Sequence, residues 1–166
     1  MAAAKKKKKK PRRARTQKRK QLADHKRRLQ RGPLRDAKMR IEPEGQVKMS
    51  AVLEDFVEPY LDLVDTGPGR RMLFTLGVLA WNAALRPPEE RQAMVDTVLD
   101  EGLPAVSEKS RGELKELVAE MIGRKLDLFP DIRRYIVSHE LTDQGHGFYL
   151  SVASFPLGER QVAGSQ

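Results

Sequence analysis

From Met49 onward, apolar residues recur at intervals of three and four, in runs separated by Gly and Pro. The first run, Val52, Leu53, Phe56, Val57, Tyr60, Leu61 and Val64, predicts a helix from Ser50 to about Asp65. Ser50 is a favoured N-cap, and Glu54 and Asp55 lie near the positive end of the helix dipole. Pro59 falls inside this span, so a kink or an early end after Glu58 is expected. Thr66, Gly67, Pro68 and Gly69 form a clear stop.

The second run, about Gly69 to Leu85, is apolar nearly all round, which belongs to a helix at the centre of a small bundle. Gly77 within it would let a neighbouring helix approach closely. Pro87 and Pro88 end this helix and open a third, with Glu89 and Glu90 in its first turn and Gly102 as its stop. Ala93, Met94, Val95, Val98 and Leu99 read as its inner stripe. A fourth helix starts at Ser107 or at Ser110, the latter matching capping-box spacing with Glu113, and runs to Leu128 and Phe129 before Pro130. Trp81 and Met72, Met94 and Met121 sit among aliphatic neighbours as core residues.

After Pro130 the period changes to two. Tyr135, Val137, His139 and Leu141 alternate with Ile136, Ser138 and Glu140; Phe148, Leu150 and Val152 alternate with Tyr149, Ser151 and Ala153. The turn-rich segment 142–147 between them completes a β-hairpin. A hairpin alone is marginal in water, so it must lie on the helices or pair its edge with another chain.

Before Met49 the pattern is different in kind. Residues 1 to about 16 are Lys, Arg, Ala and one Pro and are expected to be disordered; from about Thr16 to Arg31 there are good helix formers and no breaker until Gly32 and Pro33. The apolar residues of that segment are Leu22, Ala23 and Leu29, and the two leucines, seven residues apart, share a face. The fold class is therefore mainly α: a bundle of about four helices, then a C-terminal hairpin, preceded by a disordered-to-helical basic arm. The organisation is an arm and linker over 1–48, a globular domain over 49–158 and a flexible tail over 159–166.

Charge sharpens this division. Residues 1–40 carry 19 Lys and Arg against Asp24 and Asp36, a net of +17; the whole chain is +9 with 32 basic and 23 acidic residues, which leaves residues 41–166 at −8. Such asymmetry marks a basic arm on an acidic domain. The chain has no Cys, which excludes disulfides, Cys-based zinc sites and thiol catalysis. The longest apolar run, Met72 to Trp81, is far short of the ~20 residues that cross a bilayer. No secretory signal is read at the start, where basic residues run into more charge.

The arm carries the strongest chemical signal. Lys5, Lys6, Lys7, Lys8, Lys9, Lys10, Arg12, Arg13, Arg15, Lys18, Arg19, Lys20, Lys26, Arg27, Arg28 and Arg31 are the candidate phosphate contacts. Each cation near a nucleic-acid backbone releases condensed counterions, so affinity grows with their number and falls with salt. The arm has no aromatic residue and so lacks the stacking groups that read single-stranded bases, which favours backbone contact without sequence reading. A solubilising tail or attraction to anionic lipid is the alternative use of such charge. KKKKKKPRRAR followed by KRK is also similar to nuclear import signals and to the tails of ribosomal proteins.

The globular part offers less. His139, His146 and Asp143 surround the hairpin connector without tight ligand spacing, and a packed His139 with an exposed His146 is the simpler reading. The acid pairs Glu54 and Asp55, Glu89 and Glu90, and Asp100 and Glu101 fall at helix ends or on outer faces. Gly67 to Arg70 lacks a phosphate-loop lysine, and Ser138, Ser151 and Ser154 lack a nucleophile-elbow context. No cofactor or metal is implied.

The expectation is a cytoplasmic, non-enzymatic accessory protein, nuclear if its source is eukaryotic, binding structured RNA or a ribonucleoprotein more than DNA. The alternative is a protein-interaction or scaffold module, docking a partner or a second copy through the hairpin edge or the second-helix neighbourhood, with the arm serving as address or solubiliser.

Overall fold

The structure, a computed structural model, describes residues 12–31, 48–145 and 147–158, and side chains from residue 19 on. The helices are α1 (Arg12–Arg31), α2 (Met49–Val57), a 3-10 turn (Glu58–Leu63), α3 (Gly67–Ala84), α4 (Pro88–Gly102) and α5 (Glu108–Leu128). The strands β1 (Arg134–Asp143) and β2 (Phe148–Pro156) form an antiparallel pair. This is the mainly helical bundle with a C-terminal hairpin that the sequence predicts. The basic helix begins at Arg12, earlier than Thr16, and the linker and tail expected at 32–47 and 159–166 lie outside the described residues.

Local chemistry accounts for the boundaries. Ser50 lies inside α2, one residue past its start, and Lys48 occupies the N-cap position without a side-chain bond. Pro59 lacks an N–H, and the chain tightens into the 3-10 turn at Glu58. Thr66 caps α3, its hydroxyl accepting from Gly69 N at 3.1 Å. Ser107 rather than Ser110 caps α5, its hydroxyl accepting from Ser110 N at 3.2 Å. Pro88 is the first residue of α4.

Helix α3 is the centre. Its residues Leu73, Phe74, Leu76, Leu79, Ala80, Trp81 and Ala83 are buried, with α2, α4, α5 and the hairpin around it. Phe56, Trp81 and Phe129 form an aromatic cluster with ring centroids 5.4 to 5.9 Å apart. At Gly77 a Cβ would stand 2.7 Å from Val57 Cγ2, so α2 and α3 touch where only glycine fits. Three expected core positions differ: Met72 is exposed on α3, and on α4 Ala93 and Val98 face solvent, leaving Val95 and Leu99 as its buried residues.

The body uses its cations on helix ends. Arg124 donates to Asp55 O and Phe56 O at the end of α2, and Arg91 donates to Ala84 O and Arg86 O at the end of α3. Arg111 donates to Leu103 O and Val106 O after α4, and Lys125 donates to Phe129 O at 2.6 Å after α5. Each of these ends has carbonyls with no helical partner and a partial negative charge, which a cation satisfies on both counts. Lys125 is buried with its ammonium 4.7 Å from the Trp81 ring centre; burial pushes its pKa down, Arg133 adds to this and Asp131 opposes it.

The hairpin is fixed to α3 along the open edge of β1. Asn82 Nδ2 donates to Ile136 O and Asn82 Oδ1 accepts from Ile136 N, at 2.8 and 2.9 Å, so one side chain pairs with both main-chain groups as a neighbouring strand would. Trp81 Nε1 donates to Arg134 O two residues earlier, at 2.8 Å. The register slips between Ile136 and Ser138, making Val137 a bulge. The alternation read from the sequence therefore breaks at Val137, which is exposed. Ile136, His139 and Leu141 lie on the α3 side with Phe148, Leu150 and Val152; Ser138 and Glu140 share the other face with Tyr149 and Ser151.

Asn82→Ala strands a buried N–H and C=O together, at about 1–3 kcal/mol per unsatisfied group. We expect denaturant unfolding to show a loss of about 2–6 kcal/mol with an unchanged m-value; a loss below about 1 kcal/mol would show that the edge does not depend on this residue.

Candidate nucleic-acid interface

The face of the hairpin turned away from α3 is covered by α1. His25 is the anchor, a buried residue of this helix at 6% exposure. Ser151 Oγ lies 2.7 Å from His25 Nδ1 and Ser138 Oγ lies 3.2 Å from Nε2. Glu140, opposite Ser151 in the strand register, places Oε2 3.9 Å from Nε2. The tautomer that serves every neighbour carries its proton on Nε2, toward Ser138 and the carboxylate, and accepts the Ser151 hydroxyl at Nδ1. Arg28, one turn along, pairs with the other oxygen of Glu140, and Gln144 Nε2 donates to Gln21 Oε1 at 3.4 Å.

This anchoring decides where the helix presents its charge. Leu22 and Leu29 are half-buried on the His25 side. By the 3.6-residue period, Lys20, Arg27 and Arg31 fall on the opposite side, and all three are exposed, as is Arg19. Lys26 is half-buried, and Arg27 lies 3.9 Å from Asp24 within the helix. Arg28 keeps much of its guanidinium exposed while bound to Glu140. Arg12, Arg13, Arg15 and Lys18 lie on the first turns of α1, and Lys5 to Lys10 lie outside the described residues. The hydrogen-bonded and apolar groups thus hold the helix by one side, leaving a line of cations on the other.

His25 is the residue that charge counting misses. The signal is present in the sequence: a histidine three residues after Leu22 and four before Leu29, on their face. Its partners Ser138 and Ser151 cannot be found that way, because they lie 113 and 126 residues away along the chain. His139 faces α3 instead, with Nε2 3.4 Å from Thr75 Oγ1, and His146 lies outside the described residues. Asp143 meets Arg71 at 3.2 Å and Arg70 at 3.8 Å. Among the described residues, no three His, Cys, Asp or Glu side chains converge as metal ligands. No described helix is long and apolar enough to cross a membrane. The chain matches no family model, no curated protein and no solved structure.

Burial lowers the His25 pKa from 6.5; Glu140 pulls against this and Arg28 adds to it. The free helix therefore binds a proton more readily than the docked one. Docking is at full strength above the ordinary histidine value of 6.5 and weakens as pH falls below it. His139, also lowered by burial, contributes with the same sign. Proton NMR should give a His25 midpoint below 6.5, and His25→Asn should leave only the His139 part of the acid destabilisation. A His25 midpoint at or above 6.5 would contradict a buried neutral ring.

Proposed function

We propose that this chain is a non-enzymatic accessory protein that binds structured RNA, without reading sequence, through the basic stretch ending in α1. The observation that supports this most is the line of exposed cations Lys20, Arg27 and Arg31 on a helix held from behind by His25. A cation on a docked helix gives up less freedom on meeting a phosphate than one on a free chain, so the same charges bind more tightly. Lys20 to Arg31 spans about 16 Å at the helical rise, enough to meet several successive phosphates.

Two further features point the same way. Residues 41–166 are net −8, and Arg91, Arg111, Arg124 and Lys125 of the body are occupied at helix ends, so the body repels a polyanion and directs it to α1. No aromatic residue occurs in 1–40, which suits contact with backbone rather than stacking on bases. The N-terminal Lys and Arg run would extend the contact along an irregular RNA surface, where a rigid site could not follow.

The test is binding of the full chain to a structured RNA hairpin across a salt series, beside the triple variant Lys20→Gln, Arg27→Gln, Arg31→Gln. Each phosphate contact contributes about 0.7 to 0.9 to the slope of log K against log salt, so the variant should lower the slope by about 2 to 3. It should weaken all RNA sequences equally. An unchanged slope would remove α1 from the interface, and an affinity insensitive to salt would refute the reading.

A further inference from the structure

A second surface lies away from α1, between the 3-10 turn and α5. It is a cleft of about 650 Å³ lined by Pro59, Tyr60 and Leu63 on one wall and by Leu117, Glu120, Arg124, Asp127 and Leu128 on the other. The two most exposed large apolar side chains of the described residues, Leu63 at 66% and Leu128 at 59%, both line it. Scattered exposed leucines are ordinary, but two meeting across one cleft form an apolar patch that folding alone does not explain.

Its exposed charges are carboxylates, and its one cation is held against main-chain carbonyls. Arg124, the cation in the lining, has its donors on Asp55 O and Phe56 O, and its guanidinium stands 6.0 Å from the Phe129 ring centre. Glu120 and Asp127 are exposed on the α5 wall, and Glu58, Asp62 and Glu116, next in sequence to the lining residues Pro59, Leu63 and Leu117, are exposed on the same two elements. The Tyr60 hydroxyl donates to Glu120, and burial together with that carboxylate raises the tyrosine pKa, so the phenol stays protonated beside the acids. An apolar floor rimmed by carboxylates is complementary to a segment that carries aliphatic side chains on one face and Lys or Arg beside them.

We propose that this cleft docks a basic amphipathic segment of another protein, laid between the 3-10 turn and α5 with its aliphatic residues against Leu63, Leu117 and Leu128. The chain's own arm has the charge but not the apolar side chains: residues 5–20 contain only Ala and Pro besides polar groups. In α1 itself, Leu22 and Leu29 are already turned to the hairpin. The proposed occupant is a segment of a separate protein; the chain's own residues 34–41, with Leu34, Met39 and Ile41 beside Arg35, Lys38 and Arg40, are the competing occupant, and a synthetic peptide of that sequence binding the cleft more tightly than the probe would overturn the proposal.

The probe is a fluorescently labelled synthetic helix of leucine and lysine in amphipathic order, titrated with the full chain and followed by anisotropy, with an all-lysine peptide as competitor. Leu63→Ser and Asp127→Lys change exposed side chains, and an unaltered melting temperature confirms that each variant is folded. We expect saturable binding that each variant weakens by at least about tenfold, and little competition from the all-lysine peptide. If Leu63→Ser lowers the melting temperature, Asp127→Lys decides alone. Equal binding by the variants, or equal competition by the all-lysine peptide, would overturn the proposal. So would a dimer, seen by sedimentation, that Leu63→Ser dissolves, since the cleft would then belong to a second copy.

Discussion

A two-stranded hairpin leaves one edge and two faces to be satisfied, and in this protein the pairing of Asn82 with both main-chain groups of Ile136 settles the edge. With Trp81 bound to Arg134 O, the end of α3 stands in for a third strand, and the hairpin becomes part of the helical core. Everything beyond follows from that fixed position. One face, with Ile136, Leu150 and Phe148, closes the core; the other offers Ser138, Glu140 and Ser151 to α1. The bulge at Val137 lets the same strand bury an isoleucine inward and, two residues later, aim a serine outward at His25.

The distribution of charge follows the architecture. In the body, arginines and a buried lysine bind the carbonyls at helix ends, where they act as structure. The acids remain on outer faces, and the cleft between the 3-10 turn and α5 has carboxylates at its rim. Helix α1 reverses this arrangement: His25, Leu22 and Leu29 face the protein together with Arg28, which is bound to Glu140, and Arg19, Lys20, Arg27 and Arg31 are exposed. One chain thus carries exposed cations on α1 and an apolar cleft with carboxylates at its rim, on different elements.

Much of this was legible in the sequence because it depends on local chemistry. Pro88 opens α4, Ser107 opens α5, Pro59 tightens the chain after α2, and Gly77 marks a close helix contact, each for a reason confined to a few residues. What was not legible depends on partners distant in sequence. The strand alternation fails at Val137 because Asn82 and Trp81, more than fifty residues earlier, set the position of β1. Ser50 is a sound N-cap type, yet the helix already starts at Met49. The role of His25 needed the outer hairpin face to exist first, and the candidate phosphate contacts of α1 gained an orientation that counting charge cannot supply.

The central claim is that α1 is a packed layer of the protein and not a free cationic arm. A free helix of its length is marginal in water, so protection of its amides reports the docking itself. Amide hydrogen exchange of the intact chain measures this directly. The account predicts that amides of Leu22–Leu29 exchange slowly, together with those of β2 on which they rest. Exchange of that segment at the rate of an unstructured peptide, while β2 stays protected, would contradict it.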